Sequence, residues 1–244
     1  AFWSSKLGAL EGPTLLADNI APKPSGELTG HAALYLHWDA QRTEYLRERA
    51  QRLRVTPNTL VQATWLLLLQ RYTGQQTVCF GATVAGRPAS LPGADEMLGL
   101  FINTLPVVQT PEPAQKVSDW LQQLQSYNLE LRDHEHAALS NVQRWAGRPG
   151  QPLFDSILVF ENYPVESTVL EQGQDLLKGV SGHEQTHYPL TVSSVPRSEA
   201  GGTGLHFDIS YDTRRFDGGT IVRMMGHLET LLGGMAENPQ HTLA

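Results

Sequence analysis

Cysteine is almost absent from this chain: Cys79 stands alone. One thiol cannot build an internal disulfide framework, which excludes the small disulfide-stapled secreted folds and fits a reducing cytoplasm. Long apolar runs are missing as well. A stretch such as residues 65–69 is about as long as they get, far short of the ~20 residues that a membrane span needs. Positive charge is scarcer than negative, with 18 Lys and Arg against 25 Asp and Glu and a formal net charge of −7. That balance gives no general electrostatic reason to bind nucleic acid or an anionic membrane. The serine-hydrolase elbow G-x-S-x-G is absent, and so is any glycine-rich phosphate loop of Walker or dinucleotide type. No basic-then-apolar leader pattern opens the chain. It starts on Ala1-Phe2-Trp3 without a Met, in the manner of a helix already under way, and reads as a piece of something longer.

What is present is ordinary globular material: 244 residues, 40% hydrophobic, 18% charged and 8% aromatic, enough to bury a sizeable core. A Pro/Gly-rich connector spans residues 12–30. Leu34, Leu36 and Trp38 then alternate with other residues as in a strand. Asp39 is placed to cap a helix with the inner stripe Leu46, Ala50 and Leu53, and Glu48 and Arg52 pair at i,i+4 on its outer face. Thr56-Pro57 is a second helix start, cap then N1 proline, and the apolar run that follows ends at Gly74. Further along, the spacing predicts a strand over 103–108 and helices through Trp120, Leu121 and Leu124 and over 139–145. Strands follow over 157–160, through Tyr188, Leu190 and Val192, and through Leu205, Phe207, Ile209 and Tyr211. A last helix is capped by Asp217. Interleaved strands and helices, some strands adjacent in sequence, point to a mixed-sheet α/β sandwich.

The strand over residues 78–85 is the most informative. Val78, Phe80, Ala82 and Val84 make a bulky face, whereas Cys79, Gly81, Thr83 and Ala85 make a face of small side chains. Small side chains on one face let something approach closely. The pattern leaves open whether that is a packed chain segment, a ligand or a tunnel.

His183-Glu184-Gln185-Thr186-His187 matches H-E-x-x-H, a zinc-hydrolase signature when it lies on a helix. Gly182 before it and Pro189 after it argue for extended chain instead. In a strand the two histidines stand roughly 13 Å apart, too far to share a metal. Asp133-His134-Glu135-His136 leaves two readings open, a metal-binding quartet and, favoured between them, a solvated helix end with its histidines favoured by the dipole. Cys79 reads as a buried, inert thiol.

Taken in order, several segments resemble the later signature motifs of nonribosomal peptide synthetase condensation domains. Phe2-Trp3 with Lys6-Leu7 is similar to the helix that follows the crossover of such domains. Phe80-Gly81-Ala82-Thr83-Val84-Ala85-Gly86-Arg87-Pro88 resembles the family strand ending in Gly-Arg-Pro. Met97-Leu98-Gly99-Leu100-Phe101-Ile102-Asn103-Thr104-Leu105-Pro106 resembles the fifth core motif, and residues 134–147 the sixth. Pro152-Leu153-Phe154-Asp155 leading to Val159-Phe160-Glu161-Asn162-Tyr163-Pro164 resembles the seventh. The family's catalytic signature, paired histidines followed by three residues and Asp-Gly, has no counterpart. His206-Phe207-Asp208 and Phe216-Asp217-Gly218 are its nearest fragments.

The resemblance implies a two-layer α/β sandwich over residues 1–244, one chloramphenicol-acetyltransferase-like lobe forming the carboxyl-terminal part of a condensation domain. It implies a share in amide-bond formation between carrier-protein-bound acyl or peptidyl donors and aminoacyl acceptors, without the lobe that carries the catalytic histidine, and so inactivity alone. The implied partners are that amino-terminal lobe, the donor and acceptor peptidyl carrier proteins with their phosphopantetheine arms, and an adjacent adenylation domain, in the cytoplasm, with no nucleic acid, membrane, metal or directly bound cofactor. Gly81, Thr83 and Ala85 become expected low walls of a substrate tunnel. Arg87 and Asn103 become expected structural ties beside it. Residues 86–100 are the expected floor loop, and residues 203–218 the region of a latch reaching to the other lobe. Such a lobe is expected to leave an apolar or small-residue surface uncovered. The alternatives are a non-catalytic module docking carrier proteins or other partners and, more remotely, a zinc hydrolase acting through His183 and His187.

Overall fold

The computed structural model describes residues 2–20, 30–85, 93, 96–161, 186–199 and 201–244. Its elements in chain order are α1 (Phe2–Leu7), α2 (Leu16–Asn19), β1 (His31–Trp38), α3 (Ala40–Arg52), α4 (Pro57–Thr73), β2 (Val78–Val84), β3 (Asn103–Gln109), α5 (Val117–Arg132), α6 (Leu139–Trp145), β4 (Ser156–Phe160), β5 (Leu190–Glu199), β6 (Gly202–Asp212) and α7 (Gly218–Glu237). The six strands form one mixed sheet in the order β1-β6-β5-β4-β2-β3. Strands β2, β4 and β5 run parallel to one another, and every other pairing is antiparallel.

Helix boundaries follow local chemistry. Asp39 accepts the Arg42 N–H at the start of α3, Thr56 accepts the Thr59 N–H at the start of α4, and Asp217 accepts the Thr220 N–H at the start of α7. Each side chain thereby satisfies an N–H that has no intrahelical partner. Gly74 ends α4 at φ 70°, a conformation that glycine adopts without a steric penalty.

The two faces of the sheet differ row by row. Leu105, Ala82, Leu158, Val192, Ile209 and Leu34 stand side by side across all six strands. This is the helix-covered face: α3 packs on β1 and β6, and α4 on β2. Residues 59–69 of α4 are buried without a break, because α5, α7 and α2 close over its far side. One residue along, Pro106, Gly81, Ile157, Thr191, Ser210 and Ala33 make a row of mostly small or polar side chains on the opposite face. The period-two alternation that marked these strands in the sequence is the difference between those rows.

The Pro/Gly-rich connector holds one element that its composition hides. Helix α2 is four residues long, too short to persist by its own propensity. Asp155 holds it: Oδ1 accepts the Leu16 N–H at 2.9 Å and Oδ2 the Ala17 N–H at 2.8 Å. Beside it Thr14 N–H donates to Leu153 O, and Thr14 Oγ1 accepts the Cys79 N–H at 2.9 Å. Burial raises the Asp155 carboxyl above the ordinary carboxylate range, and the Ala17 and Leu16 N–H groups pull the other way. Strand β5 begins at Leu190, so Tyr188 lies just before the ladder and not within it.

Replacing Asp155 by Ala leaves two buried N–H groups without an acceptor, each worth roughly 1–3 kcal/mol. Asp155→Ala is expected to lower unfolding stability by about 2–4 kcal/mol, read as a reduced urea midpoint at unchanged slope. Asp155→Asn, which can keep one acceptor, is expected to lose less.

Candidate functional site

In open sheets, crevices form where parallel strands end and the chain turns away. Here β2 and β4 run parallel, side by side, and end together. Three concavities converge on that point. The first, of about 190 Å³, is lined by Thr83, Val84 and Ala85 from the end of β2, Ile102 before β3, and Val159, Phe160 and Glu161 from the end of β4. The second, of about 580 Å³, shares Phe160 and runs between the start of α4 and α3 toward Pro196 and Leu205. The third, of about 200 Å³, shares Thr83 and Val84 and lies under α4 and α5. Its polar wall is internally bonded: Thr59 Oγ1 donates to Gln125 Oε1 at 2.6 Å, and Asn128 Nδ2 to Gln62 Oε1 at 2.8 Å.

Thr83 and Ala85 thus border open space, but Gly81 does not. A Cβ added at Gly81 would lie 2.5 Å from Phe154 Cε2 and 2.7 Å from Thr104 Cγ2. The low wall at that position is therefore corrected to a packing site: the Phe154 ring, stacked on Tyr188 at 5.6 Å, fills the space a side chain would take. Phe154 was legible as part of the Pro-Leu-Phe-Asp run, but nothing in that run says which strand it covers.

Asn103 opens β3. Its Nδ2 donates to Glu135 O at 2.8 Å and Ala137 O at 2.9 Å, and its Oδ1 accepts the Thr104 N–H. With donors and acceptor engaged, the amide ties the turn after α5 to the sheet edge. Arg87 lies outside the described residues, as does most of the expected floor loop. The described part of that loop carries Leu98 and Leu100, 102% and 88% exposed, with Ile102 half-exposed after them. Large apolar side chains standing free in a row mark a surface meant to be covered.

The expected latch region is narrower than the sequence suggested. Half of residues 203–218, from Leu205 to Asp212, is interior strand: β6 pairs with β5 on one edge and β1 on the other. The part that overhangs is the tip of the β5–β6 hairpin. Beyond the Phe160–Ser194 and Trp38–Leu205 pairings, the two strands continue with each other alone among the described strands.

The remaining sequence candidates do not meet at this site. Cys79 is fully buried, and burial raises its thiol far above the ordinary range, so it is no nucleophile. Of the H-E-x-x-H run, His183 and Glu184 lie outside the described residues, and His187 is exposed in a bend. In the quartet at residues 133–136, His134 stacks on Phe2 with ring centroids 3.9 Å apart. Asp217, in the fragment nearest to a catalytic Asp-Gly, is the α7 cap. No histidine is among the described residues that line the three concavities. Among those residues the site offers shape, a nearby amide tie and largely uncharged walls, without an imidazole to carry a proton. No described helix is long and apolar enough to cross a membrane.

The family model described as a condensation domain matches residues 1–244. A linear gramicidin synthase of Brevibacillus parabrevis is 40% identical over 245 residues, a match that covers 100% of this chain and 3% of that protein. Among solved structures, the first condensation domain of the calcium-dependent antibiotic synthetase, in complex with a substrate analogue, shares the fold. Its TM-score is 0.72 at 17% identity, covering 100% of this chain and 51% of that one. The X-domain from teicoplanin biosynthesis in its complex with OxyB gives 0.76 at 19% identity, covering 99% and 53%. The chain therefore spans about half of these solved chains and a small part of the curated relative.

Gly81→Ala is expected to cost about 1–3 kcal/mol of stability through overpacking against Phe154, whereas Thr83→Ala is expected to cost little. Thermal unfolding of Gly81→Ala with and without Phe154→Leu checks the cause: the second substitution should recover part of the loss.

Proposed function

The chain belongs to the condensation-domain family of nonribosomal peptide synthetases, and from that premise we propose that it is the carboxyl-terminal lobe of such a domain. Its task is to build one wall of a tunnel in which an acceptor amine attacks a donor thioester. The thioester carbonyl carbon gains the amide bond, the carrier-protein thiol leaves, and the amine gives up a proton. The proton-handling histidine belongs to the amino-terminal lobe. Carrier proteins deliver both substrates on phosphopantetheine arms, and the acceptor is loaded by a neighbouring adenylation domain.

The observation that carries the reading is the convergence of three concavities at the shared end of β2 and β4. That site has narrow, mostly uncharged walls at Thr83, Ala85, Ile102 and Val159. A thin extended acyl-pantetheine chain fits between low walls, and positioning two reactants can supply a large share of a rate enhancement. In this reading, Leu98, Leu100 and Ile102 belong to the floor segment that passes under the other lobe, which accounts for their exposure. The overhanging tip of the β5–β6 hairpin serves as the latch. Asn103 is a positioning residue that fixes the wall where the floor segment enters the sheet.

A second reading, a module that docks a partner without catalysing, draws on the same exposed strip and on the X-domain, which shares the fold and is solved in complex with OxyB. It predicts carrier-protein or enzyme binding by the isolated chain that survives a blocked tunnel.

Amide formation from loaded donor and acceptor carrier proteins separates the two. The chain alone is expected to give no product above background, and addition of a separately produced amino-terminal lobe is expected to restore turnover. In the reconstituted pair, Thr83→Trp should lower the rate at least tenfold while leaving thermal stability near wild type. Turnover by this chain without an added lobe would overturn the half-site reading. Wild-type turnover by Thr83→Trp would remove β2 from the tunnel wall.

A further inference from the structure

A cluster of side chains on β1, β5 and β6, away from the shared end of β2 and β4, takes no part in that chemistry. The β1–β6 register sets His37 directly opposite His206. Both face away from the helices, since their neighbours Trp38, Leu36, Leu205 and Phe207 supply the core row. The two imidazole rings stack with centroids 4.4 Å apart and planes inclined by 26°. The hairpin tip brings Glu199 to the same place: its Oε2 lies 2.7 Å from His37 Nε2 and 3.9 Å from His206 Nε2. All three potential ligand atoms fall within 4.8 Å of one another, and among the described residues this is the one such grouping of three metal-ligating side chains.

The surroundings orient the carboxylate. Glu199 Oε1 accepts the Ala40 N–H at the start of α3 at 2.7 Å, the kind of outer hydrogen bond that fixes metal-ligating groups. Gly204 leaves the room required, since a Cβ there would lie 2.6 Å from Glu199 Oε2. His206 is held below the ordinary imidazole range by burial first and then by His37 and Arg197, with Glu199 opposing. His37 is half-exposed, which leaves solvent access for a fourth ligand.

We propose that His37, His206 and Glu199 form a binding site for a divalent transition cation, with zinc as the ion the donor set suits best, and that the bound ion clips the tip of the β5–β6 hairpin to edge strand β1. Two imidazoles, one carboxylate and a water are an established zinc donor set. Zinc held at about 2.0–2.1 Å from each ligand in a tetrahedron separates ligand atoms by about 3.3 Å. The 2.7 Å contact therefore opens by about 0.6 Å, the 3.9 Å contact closes by about the same amount, and the stacked rings turn so that both in-plane lone pairs meet the ion, all by side-chain rotation. The three ligands come from three strands, so the ion ties the overhanging tip to the strand that bounds the sheet.

The test uses the tag-free chain, stripped of metal with chelator and titrated with zinc by calorimetry and with cobalt(II) by visible absorption. The expected result is one ion per chain, tetrahedral cobalt(II) bands, and a rise in Tm of about 5 °C at a hundredfold excess of zinc over its Kd. His37→Asn and His206→Asn should each weaken binding more than tenfold while the metal-free Tm stays near wild type, and His183→Ala with His187→Ala should leave binding unchanged. Should either histidine variant fail to fold, Glu199→Gln decides, with a tenfold loss expected. Binding well below one equivalent, binding untouched by Glu199→Gln, or binding lost only with His183 and His187 would each overturn the site.

Discussion

Strand β4 is five residues long, yet it is bonded in parallel along both edges, to β2 and to β5. It is enclosed on both faces as well. Trp65 of α4 reaches Ser156 from one side, and the aromatic ring of Phe154, just before the strand, covers Gly81 on the other. Asp155, between them, holds α2 through two N–H groups. A parallel ladder is satisfied only when its strands are brought together by covering elements from elsewhere in the chain. The short segment 153–160 therefore fixes where β2 and β5 run, where they end, and hence where the crevice opens.

That arrangement explains the uneven use of small residues along β2. The strand presents a single small face, but its middle and its carboxyl end meet different neighbours. At Gly81 the neighbour is a ring from the same chain, and glycine is a packing requirement. At Thr83 and Ala85 the same smallness becomes the wall of a concavity. Glycine and alanine in a strand report close approach; what approaches depends on position along the strand.

The exposed row of Leu98, Leu100 and Ile102, the overhanging hairpin and, among the described residues, a crevice lined without histidine share one physical reading. Each is costly or idle in a free-standing domain and natural in a lobe that closes against another. The chain can supply walls and positioning, and in that reading general acid–base work comes from outside it. The histidines brought together in the fold, His37 and His206, lie on β1 and β6, away from the ends of β2 and β4, where their geometry suits a structural ion and not the crevice chemistry.

Most of the elements, α2 excepted, were legible from the residues alone, because caps, period-two alternation and a buried apolar helix are local signals. Asp39, Thr56, Gly74 and Asp217 stand at the helix ends read from them. The ordered motifs pointed to the family for the same reason, since each is a short contiguous run. What only the tertiary structure decided depends on residues distant in sequence. Phe154 and Gly81, Asp155 and Leu16, and Glu199 and His37 are each separated by many tens of residues. Nothing in a linear pattern states which strand lies next to which. Sheet order and register set those neighbours, and they turned an expected tunnel glycine into a packing site, half of an expected latch region into interior strand, and scattered histidines into a cluster.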